Sequence, residues 1–303
     1  MTEPDHDDRG GATIFLILAM TTIFAGAGFA IDVGQYVVHA RSAQNSADAT
    51  ALAVATDCAL TGAPIIDYSP YRKSGQEITS PACTNDEGEA EAEITVTEDV
   101  DGLFLPGVTA GAVNRSASAQ WGTLSSAKTL PIVISDCEFS EALLFGNDDI
   151  TLYLDDTKPQ SGCSSLPGGF SQLAGNGCDV VISAGGTAPG DPGADLQKVV
   201  PCLTNPEAPY LPHDVLIPMY DADACQADDC KGNGDYPIIG FAIFRVTGYS
   251  LNGKNYAGTL GKQCPDNSRG KYCLQGDFTP GTTPRGTPGP STDFGAYQIS
   301  LSS

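Results

Sequence analysis

GATIFLILAMTTIFAGAGFAI, residues 11–31, carries no charged side chain and runs directly into DVGQYVVHARSAQNSADATALAVAT, residues 32–56. The reading of this pair of stretches decides the fold. The hydrocarbon core of a bilayer is about 30 Å thick and takes roughly 20 apolar residues of helix. Residues 11–31 meet that length. Residues 32–56 contain no proline and are rich in alanine, the strongest helix former. Val33, Tyr36, Val37, Ala40, Ala47, Ala51 and Val54 recur at helical spacings, which marks one apolar stripe. The sequence predicts a helix that crosses a membrane and continues beyond it.

Two other readings of the N-terminus compete with a retained anchor. Ala25-Gly26-Ala27 and Gly28-Phe29-Ala30 offer small-residue cleavage sites of a secretory signal. A prepilin-type leader would instead be cut after Gly10 or Gly11. The stretch before the apolar run is acidic, with Arg9 its only basic residue, which is unlike a signal peptide. A cleavage site inside a continuing helix argues against it too.

The remainder of the 303-residue chain constrains the compartment. Its formal net charge is −22, from 37 acidic against 15 basic residues. A nucleic-acid surface needs clustered Lys and Arg to displace counterions from phosphate, so the sequence excludes nucleic acid as a partner. Ten cysteines follow the apolar run: Cys58, Cys83, Cys137, Cys163, Cys178, Cys202, Cys225, Cys230, Cys264 and Cys273. None forms the CxxC spacing of a zinc site, and only three histidines accompany them. They read as disulfides formed in an oxidising compartment. Proximity pairs Cys58–Cys83, Cys163–Cys178, Cys225–Cys230 and Cys264–Cys273, leaving Cys137–Cys202. Export of the cysteines places the N-terminus in the cytoplasm and the bulk of the chain outside a single-pass anchor.

Beyond residue 58 no long amphipathic helix is evident. Strand-like runs occupy residues 93–100, 115–122, 130–135, 149–154, 179–183, 214–219 and 236–249, punctuated by Gly and Pro. Short helices are read at 166–175 and 194–203, a Pro/Gly/Thr-rich linker or edge at 279–291, and a returning strand at 294–301. The predicted organisation is a cytoplasmic N-terminus (1–10), a transmembrane helix (11–31), its extension (32–57), a small membrane-proximal α/β module (58–124) and a disulfide-stapled β-rich exported domain (125–303). The fold class is α+β.

The helix also carries a pattern. Arg9-Gly10-Gly11, the apolar run, Ala30-Ile31-Asp32-Val33-Gly34 and Arg41-x-x-Gln44-Asn45-x-Ala47-Asp48-Ala49-x-Ala51-Leu52-Ala53 resemble the N-terminal signature of TadE/TadG-like proteins of the tight-adherence (Flp, type IVc) pilus machinery. The cysteine-rich part resembles, more loosely, actinobacterial TadG-like members. The resemblance implies a membrane-anchored component of a pilus-assembly or secretion apparatus, partnered through its helix by other assembly proteins or pilins. Pseudopilins of that system carry Glu at the fifth mature residue, where this chain has Phe15 or Leu16. Many TadG proteins add a von Willebrand A domain with an Asp-x-Ser-x-Ser metal loop. Here an apolar strand ends in Asp136, but Glu138 replaces the first Ser and only Ser140 fits.

The chemistry offered elsewhere is sparse. His213, followed by Asp214, is the only histidine of the exported bulk, and no G-x-S-x-G elbow occurs. Carboxylate pairs such as Asp148-Asp149 and Asp155-Asp156 are expected in so acidic a chain. Asp221, Asp223, Asp228 and Asp229 form the calcium candidate, since clustered loop carboxylates suit that ion, though the EF-hand pattern fails at Cys225. Gly26, Ala30 and Gly34 form a small-residue strip for close helix approach. With Asp32, Gln44, Asn45, Ala47 and Asp48 they make up the residues assigned to helix packing. The expected function is a non-enzymatic assembly component with no cofactor other than that calcium candidate. The alternatives are a minor (pseudo)pilin within the filament and an anchored extracellular hydrolase.

Overall fold

The structure, a computed structural model, describes residues 9–64, 67–79, 82–86, 89–104, 111–144, 149–153, 170–175, 178–191, 199–203, 213–225, 230, 234–251, 254–256 and 272–302. It is α+β, with a long N-terminal helix followed by a mostly β region. Helix α1 spans Arg9–Thr61, 53 residues without interruption, or about 80 Å of helix. It ends where Gly62 takes a positive φ of 74° and its N–H reaches back to the Cys58 carbonyl. That left-handed cap is a conformation glycine adopts without penalty.

The strands, in chain order, are β1 (Gln76–Ile78), β2 (Thr84–Asp86), β3 (Glu89–Val100), β4 (Gly111–Thr129), β5 (Ile132–Ser135), β6 (Ile150–Tyr153), β7 (Phe170–Gln172), β8 (Val180–Ser183), β9 (Thr187–Pro189), β10 (His213–Tyr220), β11 (Asp235–Leu251), β12 (Lys254–Tyr256), β13 (Cys273–Phe278), β14 (Gly281–Thr282), β15 (Gly286–Pro288), β16 (Thr292–Phe294) and β17 (Ala296–Ser302). Helices α2 (Asp136–Leu144) and α3 (Val200–Leu203) interrupt them. An eight-stranded sheet runs β1-β3-β4-β17-β14, with β2 on β3 and with β8 and β15 on β4. A nine-stranded sheet runs β6-β13-β11-β10-β5-β7, with β9, β12 and β16 on β11.

Helix α1 lies on the first sheet. Ala40, Ala43, Ala47, Ala51, Val54 and Ala55 meet Ala92, Ile94 and Val96 of β3 and Val113 and Ala119 of β4 in one core. The helix side of this contact is mostly methyl groups, which lets the helix backbone come close to the strands. On β3 the buried residues alternate from Ala92 to Val100, as a strand with one covered face requires. The last strand, β17, returns to pair with β4 from Tyr297↔Thr123 to Ser302↔Ser118, so the C-terminal segment completes the first sheet.

The second sheet has a core on each face. Val215, Ile217 and Met219 of β10 point with Ala242, Phe244 and Val246 of β11 into one. Leu216, Phe241 and Ile243 point into the other, shared with Leu124 and Ala127 of β4. Two bulges in β11 reset this alternation. The register against β10 slips between Met219 and Tyr220, and that against β13 slips between Val246 and Gly248. Each slip inserts one residue and flips the faces beyond it. Tyr236 and Ile238 therefore share a core with Phe241, and Tyr249 shares one with Phe244.

The structure differs from the sequence reading at several points. The helix read at 166–175 is strand β7 at Phe170–Gln172, paired with β5; residues 166–169 lie outside the described ones. Helix α2 follows the 130–135 strand, where the sequence reading places no helix. Residue 124, read as a division, lies inside β4, one strand that serves the core under α1 and one core of the second sheet. Val33, Tyr36 and Val37, the first members of the apolar stripe, are exposed, because the first sheet covers the helix only from about His39 onward. The sequence-neighbour pairing also fails in part. Cys178 is bonded to Cys202, so neither Cys163–Cys178 nor Cys137–Cys202 forms. The fold brings the Cα atoms of Cys178 and Cys202 to 5.1 Å, within disulfide range. Cys58–Cys83 and Cys225–Cys230 are present as read. Cys137 and Cys273 are disulfide-bonded as well, and Cys163 and Cys264 lie outside the described residues.

Candidate functional site

The residues that single this chain out in sequence lie along α1, some covered by the rest of the chain and some open. Between residues 11 and 38 only Gly28 and Asp32 are buried. They sit one turn apart, and Leu103 and Phe104 lie against them. The Asp32 side chain is 2 % exposed. Its Oδ1 accepts the backbone N–H of Leu103 at 2.9 Å and of Phe104 at 3.1 Å. A Cβ at Gly28 would stand 3.1 Å from the Phe104 Cβ, so the absent side chain is what seats that segment. A carboxylate at the end of an apolar run is costly unless donors replace its water, and here two N–H groups do so.

Gly26, Ala30 and Gly34 lie roughly on the opposite side of the helix, about 200° away at 100° per residue. All three are exposed, and nothing stands within 4 Å of a Cβ built at Gly26 or Gly34. The remaining assigned residues are arranged within the chain's own domain. Gln44 Nε2 donates to Asp48 Oδ1 at 2.8 Å and to the Ser116 carbonyl at 3.3 Å. Ala47 is fully buried against the first sheet. Asn45 is exposed. The structure thus brings Asp32, Gln44, Ala47 and Asp48 onto intramolecular contacts and leaves Gly26, Ala30, Gly34 and Asn45 open.

Where the helix meets the sheet, a polar cluster closes the junction. His39 Nδ1 lies 2.5 Å from Glu98 Oε1, and Gln76 Nε2 donates to Glu98 Oε2 at 2.7 Å. Burial pushes the Glu98 carboxyl up. Hydrogen bonds from Gln76 and His39, aided by the charges of His39 and Lys73, outweigh that and hold it below the ordinary value. No pattern in the sequence joined these three residues, because Gln76 and His39 reach Glu98 across 22 and 59 positions.

The exported candidates show less convergence. Asp221 Oδ1 accepts the N–H groups of Asp223 and Ala224, an Asx turn that occupies its carboxylate. Asp228 and Asp229 lie outside the described residues. Asp136 opens α2, and its Oδ1 accepts the Ala222 N–H at 3.0 Å. Burial pushes its carboxyl up and the nearby Asp221 and Asp223 charges add to that, against the N–H donors of Ala222 and Cys137. Glu138 is buried and Ser140 exposed. Among the described residues no group of three or more His, Cys, Asp and Glu is arranged to hold a metal ion. His213 begins β10 opposite Val246, and its neighbour Asp214 is engaged by Arg245, with Nε 2.9 Å from Oδ1.

Gly28, Leu103 and Phe104 were not singled out as a site from sequence, and 71 positions separate Asp32 from its first donor. A charged residue closing an apolar run was the only local sign that something must come to meet it.

Residues 10–57 match the family model described as putative Flp pilus-assembly TadE/G-like. The match covers nearly the whole of α1, from the apolar run through the sheet-bound half, and it supports a role as a pilus-assembly component. No curated protein and no solved structure matches the chain.

Proposed function

We propose that this chain, whose first helix carries the Tad-family signature, is a non-enzymatic, single-pass anchored component of a Tad/Flp-type pilus-assembly or secretion apparatus. Its N-terminus faces the cytoplasm and its β-rich bulk lies outside the cell, presenting surface for assembly or adhesion. The observation that carries the reading is α1 itself. One helix holds an uncharged apolar span of membrane length, the family match, and a small-residue strip open to a partner. Small residues let helices approach closely in lipid, where packing rather than water drives association. The partners proposed are membrane proteins of the same apparatus or pilins. The disulfides support an oxidising location for the bulk. The role needs no cofactor and no catalytic residue.

Phe15 or Leu16, depending on the cut, stands where a processed pilin of this system would carry Glu, so we take the helix to remain in the membrane. Deleting the gene and counting surface pili by electron microscopy tests the assembly role. Pili should be lost or sharply reduced; wild-type numbers in the deletion strain would overturn it.

A further inference from the structure

We propose that the Leu103–Phe104 segment is a second membrane-contacting element, a hydrophobic foot clamped to the anchor by Asp32 and inserted in the bilayer at the domain-side end of the span. The inference rests on the reading of α1 as a membrane anchor and adds a contact that the anchor alone does not supply.

Four observations converge on it. Leu103 and Phe104 are 64 % and 55 % exposed, although they are among the most apolar side chains of a strongly acidic protein. Their backbone is held to α1, since both N–H groups donate to Asp32. Phe104 is seated over Gly28, which lies inside the uncharged run. Residue 28 precedes the end of that run by three positions, or about 5 Å along the helix axis, so Phe104 sits at the depth of the acyl-chain boundary. Around it the helix exposes Phe24, Phe29 and Ile31, so the foot continues the apolar belt of the span.

The occupant follows from that continuity. A surface level with and continuous with a transmembrane belt meets lipid, and aromatic and aliphatic side chains at this depth add binding by leaving water. The clamp also accounts for the carboxylate at position 32. Unpaired, a charge next to the hydrocarbon would draw the span outward. Paired with two N–H groups, it fixes a hairpin end against the helix and sets how close the domain rides to the membrane.

The test uses the full chain reconstituted in phosphatidylcholine vesicles, with or without lipids brominated near the headgroup end of their acyl chains. The wild-type chain has a single tryptophan, Trp121, which packs beside the helix–sheet core and supplies the background. Phe104→Trp adds a reporter at the foot, and Phe24→Trp adds one within the span. The account expects the added emission at position 104 to fall about twofold with brominated lipid, as expected for a side chain buried in the headgroup and acyl boundary, with comparable quenching at position 24. Adding Asp32→Ala to Phe104→Trp should release the foot and diminish its quenching while position 24 is unaffected. Quenching at 24 without quenching at 104 overturns the foot and leaves the anchor standing, and this includes blue-shifted but unquenched emission that would mark a protein occupant or a second copy. Absence of quenching at both positions overturns the anchor reading itself.

Discussion

The two halves of α1 share one helix and one period but face different surroundings. From Gly11 to Val38 nearly every residue is exposed, large apolar side chains included. From His39 to Thr61 no large apolar side chain is exposed, and the covered side is built mostly from alanine against a sheet. Apolar bulk on the outside is the signature of lipid as solvent. Small residues on one side are the signature of a tight protein contact. The exceptions in the first half, Gly28 and Asp32, show where the protein reaches down over the span.

The largest effect should come from charging the domain half. Ala47→Asp places a carboxylate where the side chain is fully buried. We expect about 3–5 kcal/mol of lost stability, the usual cost of an unpaired buried charge. Guanidinium unfolding of the detergent-solubilised chain, followed by Trp121 emission, measures it. A shift within the scatter of surface variants would mean that the helix does not dock on the sheet as described.

Removing Cys58–Cys83 tests the far end of the same contact. That bridge ties the last turn of α1 to the segment between β1 and β2 and closes a loop of 25 positions. The double Cys→Ser variant should lose about 2–4 kcal/mol in the same unfolding measurement. It should leave partition into membranes unchanged, because the span does not depend on it.

A smaller, pH-dependent effect should arise at the junction of the halves. Glu98 is held below its ordinary value when folded, and an unfolded glutamate titrates near about 4.3. The folded state therefore binds this proton less readily than the unfolded one. The contribution is present above that value and is lost as pH falls through the folded value. Stability of the wild-type chain should decline on acidification, and Glu98→Gln should flatten that decline. An unchanged pH slope in Glu98→Gln would remove the cluster from the account. Glu98→Ala should cost about 1–3 kcal/mol at neutral pH by leaving Gln76 and His39 without their acceptor.

The comparison also explains what sequence could and could not provide. The helix was readable because its signals are local: an uncharged run and an alanine-rich continuation. The strands at 214–219 and 236–249 were readable for the same reason, since short apolar, β-branched runs bounded by Gly, Pro and Asp are written in adjacent residues, and they appear as β10 and β11. What was missed depends on partners distant in the chain. Phe170–Gln172 looked helical until β5 is seen beside it. Cys178 takes Cys202 rather than its sequence neighbour. The stripe of Val33, Tyr36 and Val37 has the right spacing but no sheet above it. Asp32 could be recognised as part of a family pattern, yet its role as acceptor for Leu103 and Phe104 is written in neither segment alone.

The most direct measurement concerns the open strip of the membrane half. Gly26→Leu with Gly34→Leu fills positions that touch nothing in the folded chain, so unfolding should show no loss of stability, and helix propensity favours each change by up to about 1 kcal/mol. In a deletion strain, the wild-type chain should restore pili. The double variant, present in the membrane at the same level, should fail to restore them. Full restoration of pili by the double variant would contradict the claim that α1 works by docking partner helices along Gly26, Ala30 and Gly34.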